Sequence, residues 1–556
     1  MRIRVAMAQM NATVGDFEGN VRGITKFIRM AEEGGADIVA FPELAITGYP
    51  PQDLLLERAF VRRNYEALRK IMKRHHKIVA VVGFVEERGE KLYNAAAVFR
   101  GKELLGIARK ALLPTYDVFD EARYFRGADE KEIKPIAVSI RERKINLGVE
   151  ICEDLWNKRD ELAVTELLAK RGADIVINIS ASPFYVGKRF EREKLLYNHS
   201  RKNCVPIFYV NMVGGQDELV FDGQSLAMDR FGHIIGIGKQ FEEDLIFTDI
   251  DVDKGTAKRV EPPLYRREEE MFGALVLGIR DYFRKTGFKK AVVGLSGGID
   301  SSLTACIAVE ALGKENVIGV SMPSKYSSDH GKEDAQKLAE NLGILFIRIP
   351  IQEVVDSYKM VMEESLARIR ERFGLKKGEE DAVADENIQS RVRANCLMDI
   401  SNRFRKLGIL VINTGNKTEL ALGYCTLYGD MASGIGALGD VSKLEVYKLA
   451  AYVNERAQRE VIPARVFSKR PSPELREGHF TPFNFEIVSP IVDEIMSGKS
   501  RREILRMGYP KKIVDDVYER FRKAEFKRRQ AAPFIKITRR AFGMGWKMPI
   551  ANKYDG

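Results

Sequence analysis

A loop rich in glycine and serine, Ser296-Gly297-Gly298-Ile299-Asp300-Ser301-Ser302, separates two apolar runs of different character. Ala291–Leu295 reads as a short buried strand, and Leu303–Leu312 reads as a helix. Downstream, Val317–Met322, Leu345–Ile349 and Ile409–Asn413 read as further strands, with helical spacing over Ser328–Leu342. Strand, loop, helix and strand at these lengths imply a parallel sheet, whose ligands bind beyond the C-terminal strand ends. The glycine-serine loop falls at such an end, as does Thr414-Gly415-Asn416. A loop of this kind gathers an anion on unpaired backbone N–H groups at a helix N-terminus. It is not a Walker A loop, because no Gly-Lys-Ser/Thr follows at the required spacing.

At 556 residues the chain exceeds one ordinary domain. Its 45% hydrophobic and 30% charged residues suit a soluble globular protein. No apolar run reaches membrane-spanning length and Met1–Gln9 enters a strand pattern at once, so the expected location is cytoplasmic. The five cysteines, Cys152, Cys204, Cys306, Cys396 and Cys425, include no Cys-x-x-Cys pair and suggest neither zinc nor a disulfide framework. A net charge of +11 fits nucleic acid or a polyanionic small substrate, but basic and acidic residues are interleaved, which weakens the nucleic-acid reading.

The first half alternates strand-like runs (Arg4–Gln9, Ile38–Phe41, Val79–Phe84, Ile145–Val149) with helical stretches (Asn20–Gly34, Leu56–His75), an α/β layered pattern. Glu43, Lys110 and Cys152 each stand at or just after a strand, where α/β loops carry function. Singly, these are a helix-start carboxylate, a surface lysine and a buried small hydrophobe. Together they supply a base, a cation for an oxyanion and a thiol, a coherent amide-cleaving set. Cys204, before Val205-Pro206, reads as core at the start of another strand. Around Asp253–Glu270 charge and the pair Pro262-Pro263 read as a linker, placing the domains at 1–262 and 263–556.

The contexts of Glu43, Lys110 and Cys152 resemble the Glu-Lys-Cys triad of the nitrilase, or carbon–nitrogen hydrolase, superfamily over roughly the first 260 residues. That resemblance implies an α/β sandwich layer domain. Glu43 would be the general base, Lys110 the stabiliser of the tetrahedral intermediate, Cys152 the nucleophile and Glu121 a supporting glutamate. Tyr116, Ser182 and Lys188 match positions that hold glutamine in the glutaminase branch. The second half resembles the PP-loop ATP pyrophosphatases, with a Rossmann-like parallel sheet. Glu386–Arg393, Thr414–Glu419, Gly423–Asp430 and Phe526–Gln530 occur in the order found in glutamine-dependent NAD+ synthetases. By that resemblance ATP meets Gly294, Leu295, Ser296, Gly297, Gly298, Ile299, Asp300, Ser301, Ser302, Thr414, Lys443 and Ser472. Deamido-NAD+ meets Asn387, Arg391, Glu419 and Lys527, and Mg2+ meets Asp300 and Glu419. The family also suggests a homo-oligomer.

Three alternatives remain at this stage: a PP-loop amidotransferase with another acid acceptor, a tRNA-modifying PP-loop protein, and a catalytically dead metabolite-binding subunit, which the intact triad and phosphate loop disfavour. The motifs around Asn387 and Lys527 weigh against the first. The second lacks relay cysteines and a clustered basic-aromatic surface. After Ser472 the chain reads Arg476–Pro482, where family members carry Gln-x-Asp-Glu, so the contacts of that loop cannot be transferred. His479 within it reads as a solvated loop histidine.

Overall fold

The computed structural model describes residues 1–74, 76–157, 162–379, 381, 383–469, 471–472, 474–476, 478 and 481–554. The chain forms two compact units, Met1–Arg267 and Glu268–Gly556.

The strands of the first unit are β1 (Arg2–Gln9), β2 (Ile38–Ala40), β3 (Val79–Arg88), β4 (Lys91–Arg100), β5 (Glu103–Arg109), β6 (Ile136–Ile140), β7 (Arg143–Ile151), β8 (Ile175–Ser180), β9 (Ile207–Asn211), β10 (Val213–Gln216), β11 (Leu219–Asp222), β12 (Leu226–Met228), β13 (Ile234–Ile237), β14 (Asp244–Asp251) and β15 (Thr256–Ala257). One seven-stranded sheet runs β15-β14-β1-β2-β3-β4-β5, and a six-stranded sheet runs β13-β12-β9-β8-β7-β6. Strand periodicity decides the layers. Val5, Met7, Val79 and Val81 share a core with Val149, Ile177 and Phe208, which joins the two sheets face to face. Their neighbours Ala6, Ala8, Ala80 and Val82 point the other way, onto Ile24 and Ile28 of the helix Phe17–Glu33 and Leu68 and Ile71 of the helix Arg58–Met72. Behind the second sheet, Val176, Ile207 and Tyr209 pack with Leu196 of the helix Lys188–Asn203. The result is a sandwich of helix, sheet, sheet and helix layers.

Two readings of the sequence need correction. The alanine-rich strand β4 was not expected, because alanine has low strand preference. Its small side chains serve both faces, Ala95 and Ala97 toward the helices and Ala96 toward the opposing sheet. Cys204 is exposed, not core. With φ of +51° it closes the helix Lys188–Asn203, and β9 begins only after Val205-Pro206.

The second unit holds β16 (Lys290–Gly294), β17 (Val317–Ser321), β18 (Leu345–Arg348), β19 (Ile409–Asn413) and β20 (Ile435–Gly436), in a parallel sheet of order β18-β17-β16-β19-β20. The chain fills one side of β16 and then returns to the other with β19. The switch point therefore lies between β16 and β19, where parallel sheets open a crevice at their C-terminal ends.

One close approach positions a site segment in the first unit. A Cβ on Gly83 of β3 would lie 2.4 Å from both Pro42 O and Leu44 N, on either side of Glu43. Gly83→Ala is therefore expected to displace that segment and to destabilise the fold by about 1–3 kcal/mol, measured by chemical denaturation.

Candidate functional site

In the first unit, the ends of β2, β5, β7 and β8 converge. Lys110, directly after β5, is fully buried, with its Nζ 2.7 Å from Glu43 Oε1 and 2.8 Å from Glu121 Oε1. Burial alone would lower the lysine pKa. The two carboxylates outweigh it and hold the ammonium well above its ordinary range. Burial pushes Glu121 up to about 7, with Lys110 opposing and Glu43 adding to the rise. Tyr49 donates its hydroxyl to Glu121 Oε1 at 2.9 Å, while Glu121 Oε2 is buried without a hydrogen-bond partner among the described residues.

Cys152 follows β7 with φ of +46° and ψ of −96°, a strained conformation for a residue with a Cβ, and is 4% exposed. Burial and the charge of Glu43 push its thiol well above the usual range, with Lys110 opposing. Burial thus favours the neutral thiol over a preformed thiolate. Asp154, unremarked in the sequence, pins this turn: its carboxylate accepts from Ile151 N at 3.0 Å, Ala111 N at 2.9 Å and Leu112 N at 2.8 Å. It thereby ties the exit of β7 to the segment that carries Lys110.

The residues matched to glutamine binding border the same framework. Tyr116 donates to Glu153 Oε2 at 2.7 Å. Lys188 Nζ lies 4.2 Å from the Trp156 ring centroid and 4.7 Å from that of Tyr185. Both contacts flank the short helix Glu153–Trp156 that Cys152 begins. Ser182 is buried next to Ala181, whose N–H donates to Glu43 Oε2 at 3.0 Å.

In the second unit a cavity of about 330 Å³ opens at the switch point. Gly294, Leu295, Ser296, Gly298, Ile299, Asp300, Ser301, Thr414, Glu419, Lys443 and Ser472 line it. Gly297 and Ser302 shape the loop from behind. Gly297 has φ of +74°, and a Cβ there would meet Gly331 O at 2.2 Å. Ser302 Oγ donates to Gly298 O at 2.8 Å. Asp300 accepts from Asn416 Nδ2 at 2.9 Å and pairs with Lys443. Glu419 also closes the capping box of the helix Lys417–Leu422, so its helix-start role is satisfied as well. Burial and then the charge of Asp300 raise Glu419 to about 7, against the opposing pull of Lys443. Two carboxylates lining one cavity suit a divalent cation that phosphate oxygens and water complete. Among the described residues no group of three or more His, Cys, Asp or Glu gathers as an all-protein metal site.

Asn387, Arg391 and Lys527 do not line the cavity but gather on one neighbouring segment. Thr426 Oγ1 donates to Asn387 Oδ1 at 2.9 Å, Arg391 Nε to Leu427 O at 3.2 Å, and Lys527 Nζ to Gly423 O at 2.7 Å and Cys425 O at 2.6 Å. Tyr424 and Thr426 of that segment do line the cavity. Arg393 and Lys469 also line it and were missed. Arg393 donates Nε to Met322 O at 3.0 Å, and burial lowers it to about 10, with Glu474 opposing. Its place two residues after Arg391 was a usable signal. Of the divergent loop, Arg476 pairs with Glu386 at 3.1 Å, whereas His479 lies outside the described residues. No helix among the described residues is long and apolar enough to cross a membrane.

Comparisons with known proteins agree with this two-part construction. A carbon-nitrogen hydrolase family profile matches residues 4–259 and an NAD synthase profile matches residues 271–531. A glutamine-dependent NAD(+) synthetase of Thermotoga maritima is 43% identical, with 100% of this chain and 99% of that protein aligned. The Synechocystis protein of the same name is 42% identical over 99% of both. The structure of the glutamine-dependent NAD+ synthetase from Acinetobacter baumannii in complex with ADP superposes with a TM-score of 0.77 at 35% identity, covering 99% of each chain. With both halves matched end to end at this identity, the chain belongs to the glutamine-dependent NAD(+) synthetases.

Proposed function

We propose that the chain amidates deamido-NAD+ to NAD+, using ATP for activation and glutamine as the nitrogen donor. The observation that carries this is the presence, in one chain, of a buried Glu-Lys-Cys set and a phosphate-loop cavity at a sheet switch point. In the first unit Cys152 gives its proton to Glu43, and Sγ attacks the amide carbon of glutamine. Lys110, held by Glu121, offsets the charge on the tetrahedral oxygen. Collapse breaks the C–N bond, and Glu43 returns the proton to the departing ammonia. Water then opens the thioester, releasing glutamate and restoring the thiol. Tyr116, Ser182 and Lys188 orient glutamine.

In the second unit Gly294–Ser302, Thr414, Lys443 and Ser472 hold ATP, and Asn387, Arg391, Glu419 and Lys527 hold deamido-NAD+. The nicotinate carboxylate attacks the α-phosphorus and pyrophosphate leaves. Ammonia then attacks the acyl carbon of the adenylate, and AMP departs. Asp300 and Glu419 would hold Mg2+, which when bound offsets phosphate charge. Lys443 adds a fixed cation beside them. A cytosolic location accords with five cysteines that form no disulfide.

Assays of NAD+ formation with ATP, Mg2+, deamido-NAD+ and either glutamine or ammonium test the whole reading. Release of AMP with some other acid, and never with deamido-NAD+, would overturn the acceptor. Cys152→Ala is expected to cut glutamine-driven synthesis by about 1,000-fold or more while ammonium-driven synthesis persists. Loss of both in a folded variant would make Cys152 structural. Asp300→Asn is expected to stop both reactions, and retained synthesis would remove Asp300 from the metal site.

We also propose a homo-oligomer. The helix Gln352–Phe373 buries only Val355, and leaves Met360 and Val361 each 76% exposed and Phe373 73% exposed. These exposed apolar side chains are the candidates for a contact with a second copy. Light scattering on a sizing column is expected to give a multiple of the monomer mass, and Met360→Glu with Val361→Glu a monomer.

A further inference from the structure

Asn94 sits in β4 beside the run Ala95-Ala96-Ala97, fully buried where an apolar residue would pack without cost. Its main-chain carbonyl accepts from Lys110 N at 2.8 Å. Its side chain donates Nδ2 to Glu43 Oε1 at 2.7 Å, while its Oδ1 is buried with no hydrogen-bond partner among the described residues. A buried amide that leaves one polar atom unsatisfied needs a reason. Here the contact made by the other atom supplies it. The opposite amide orientation would set Oδ1 against the carboxylate, so the charge of Glu43 fixes the amide as it stands.

The consequence follows from counting lone pairs. A carboxylate offers about four acceptor positions, two on each oxygen. On Glu43, Oε1 takes donors from both Lys110 and Asn94, and Oε2 takes one from Ala181 N. The open position among the described residues is therefore on Oε2. We infer that Asn94 is a positioning residue that fills Oε1 and thereby directs the Cys152 proton to Oε2 of Glu43. This rests on the proposed roles of Glu43 and Cys152. The step is a proton moving from Sγ to Oε2 as the sulfur electron pair forms the C–S bond, and the same proton leaves later with ammonia.

The groups facing Glu43 are Lys110 after β5, Glu121 and Tyr49 from their loops, and Cys152 after β7. None of them is altered by substitution at residue 94. Asn94→Asp keeps the side-chain shape but removes the donor, and Asn94→Ala removes the side chain. A carboxylate that loses a donor holds a proton more tightly. Both variants are therefore expected to move the acid limb of kcat/KM for glutamine to higher pH by about one unit, Asn94→Asp the more. On the acid side of that limb glutamine hydrolysis is expected to fall by up to about 10-fold for the same reason, with ammonium-driven synthesis unchanged.

Full activity, or a loss equal at every pH with the acid limb in place, would overturn the inference and leave Asn94 a packing residue. Asn94→Asp carries the test if Asn94→Ala does not fold, as judged by circular dichroism. Cys152→Ala run alongside separates the two levels. Glutamine hydrolysis surviving in that variant would overturn the underlying roles, whereas its loss together with an unmoved acid limb in the Asn94 variants would overturn only the inference.

Discussion

A lysine ammonium removed from water costs several kcal/mol unless charge and hydrogen bonds replace the solvent. Lys110 meets that condition through Glu43 and Glu121, and the rest of the first unit is arranged so that it can. The lysine leaves β5, one carboxylate follows β2, and the other sits in a turn that Tyr49 braces. The strand ends must coincide to within hydrogen-bond distance, and the sheet-on-sheet core fixes them there. A buried cation without free reorientation is also suited to the role proposed for it, since it needs no rearrangement to meet a developing oxyanion.

The second unit solves a different electrostatic problem. Its cavity is lined by the glycine-serine loop at a helix start, by the cations Lys443, Lys469 and Arg393, and by the carboxylates Asp300 and Glu419, so charges of both signs share one crevice. The topology supplies the place. Reversal of strand order around β16 opens the sheet where the glycine-serine loop and Thr414-Gly415-Asn416 both emerge.

Much of this was legible from the chain because the chemistry-bearing residues follow strands. Glu43, Lys110 and Cys152 announced themselves by position, and the loop by its glycines. What stayed hidden depended on side-chain contacts between distant segments. Asp154 looked like one more acid beside Glu153, yet three N–H groups from two segments converge on it. Asn94 precedes an alanine run that nothing in the sequence singled out. Cys204 misled because Val205 extends the apolar run of β9 backwards, although Pro206 has no N–H with which to continue the ladder. Arg393 shared a motif with Arg391 but only the fold shows that it reaches the cavity while Arg391 turns to Leu427 O.

The buried, protonated state of the Cys152 thiol has a consequence outside the amide reaction. Oxidants attack the thiolate, and sulfenic acid formation follows thiolate character and exposure. A thiol that is 4% exposed and whose ionisation is disfavoured by burial presents little oxidisable form. The burial that disfavours the thiolate of Cys152 therefore also shields it from peroxide. An exposed low-pKa cysteine would need a reductase for the same endurance.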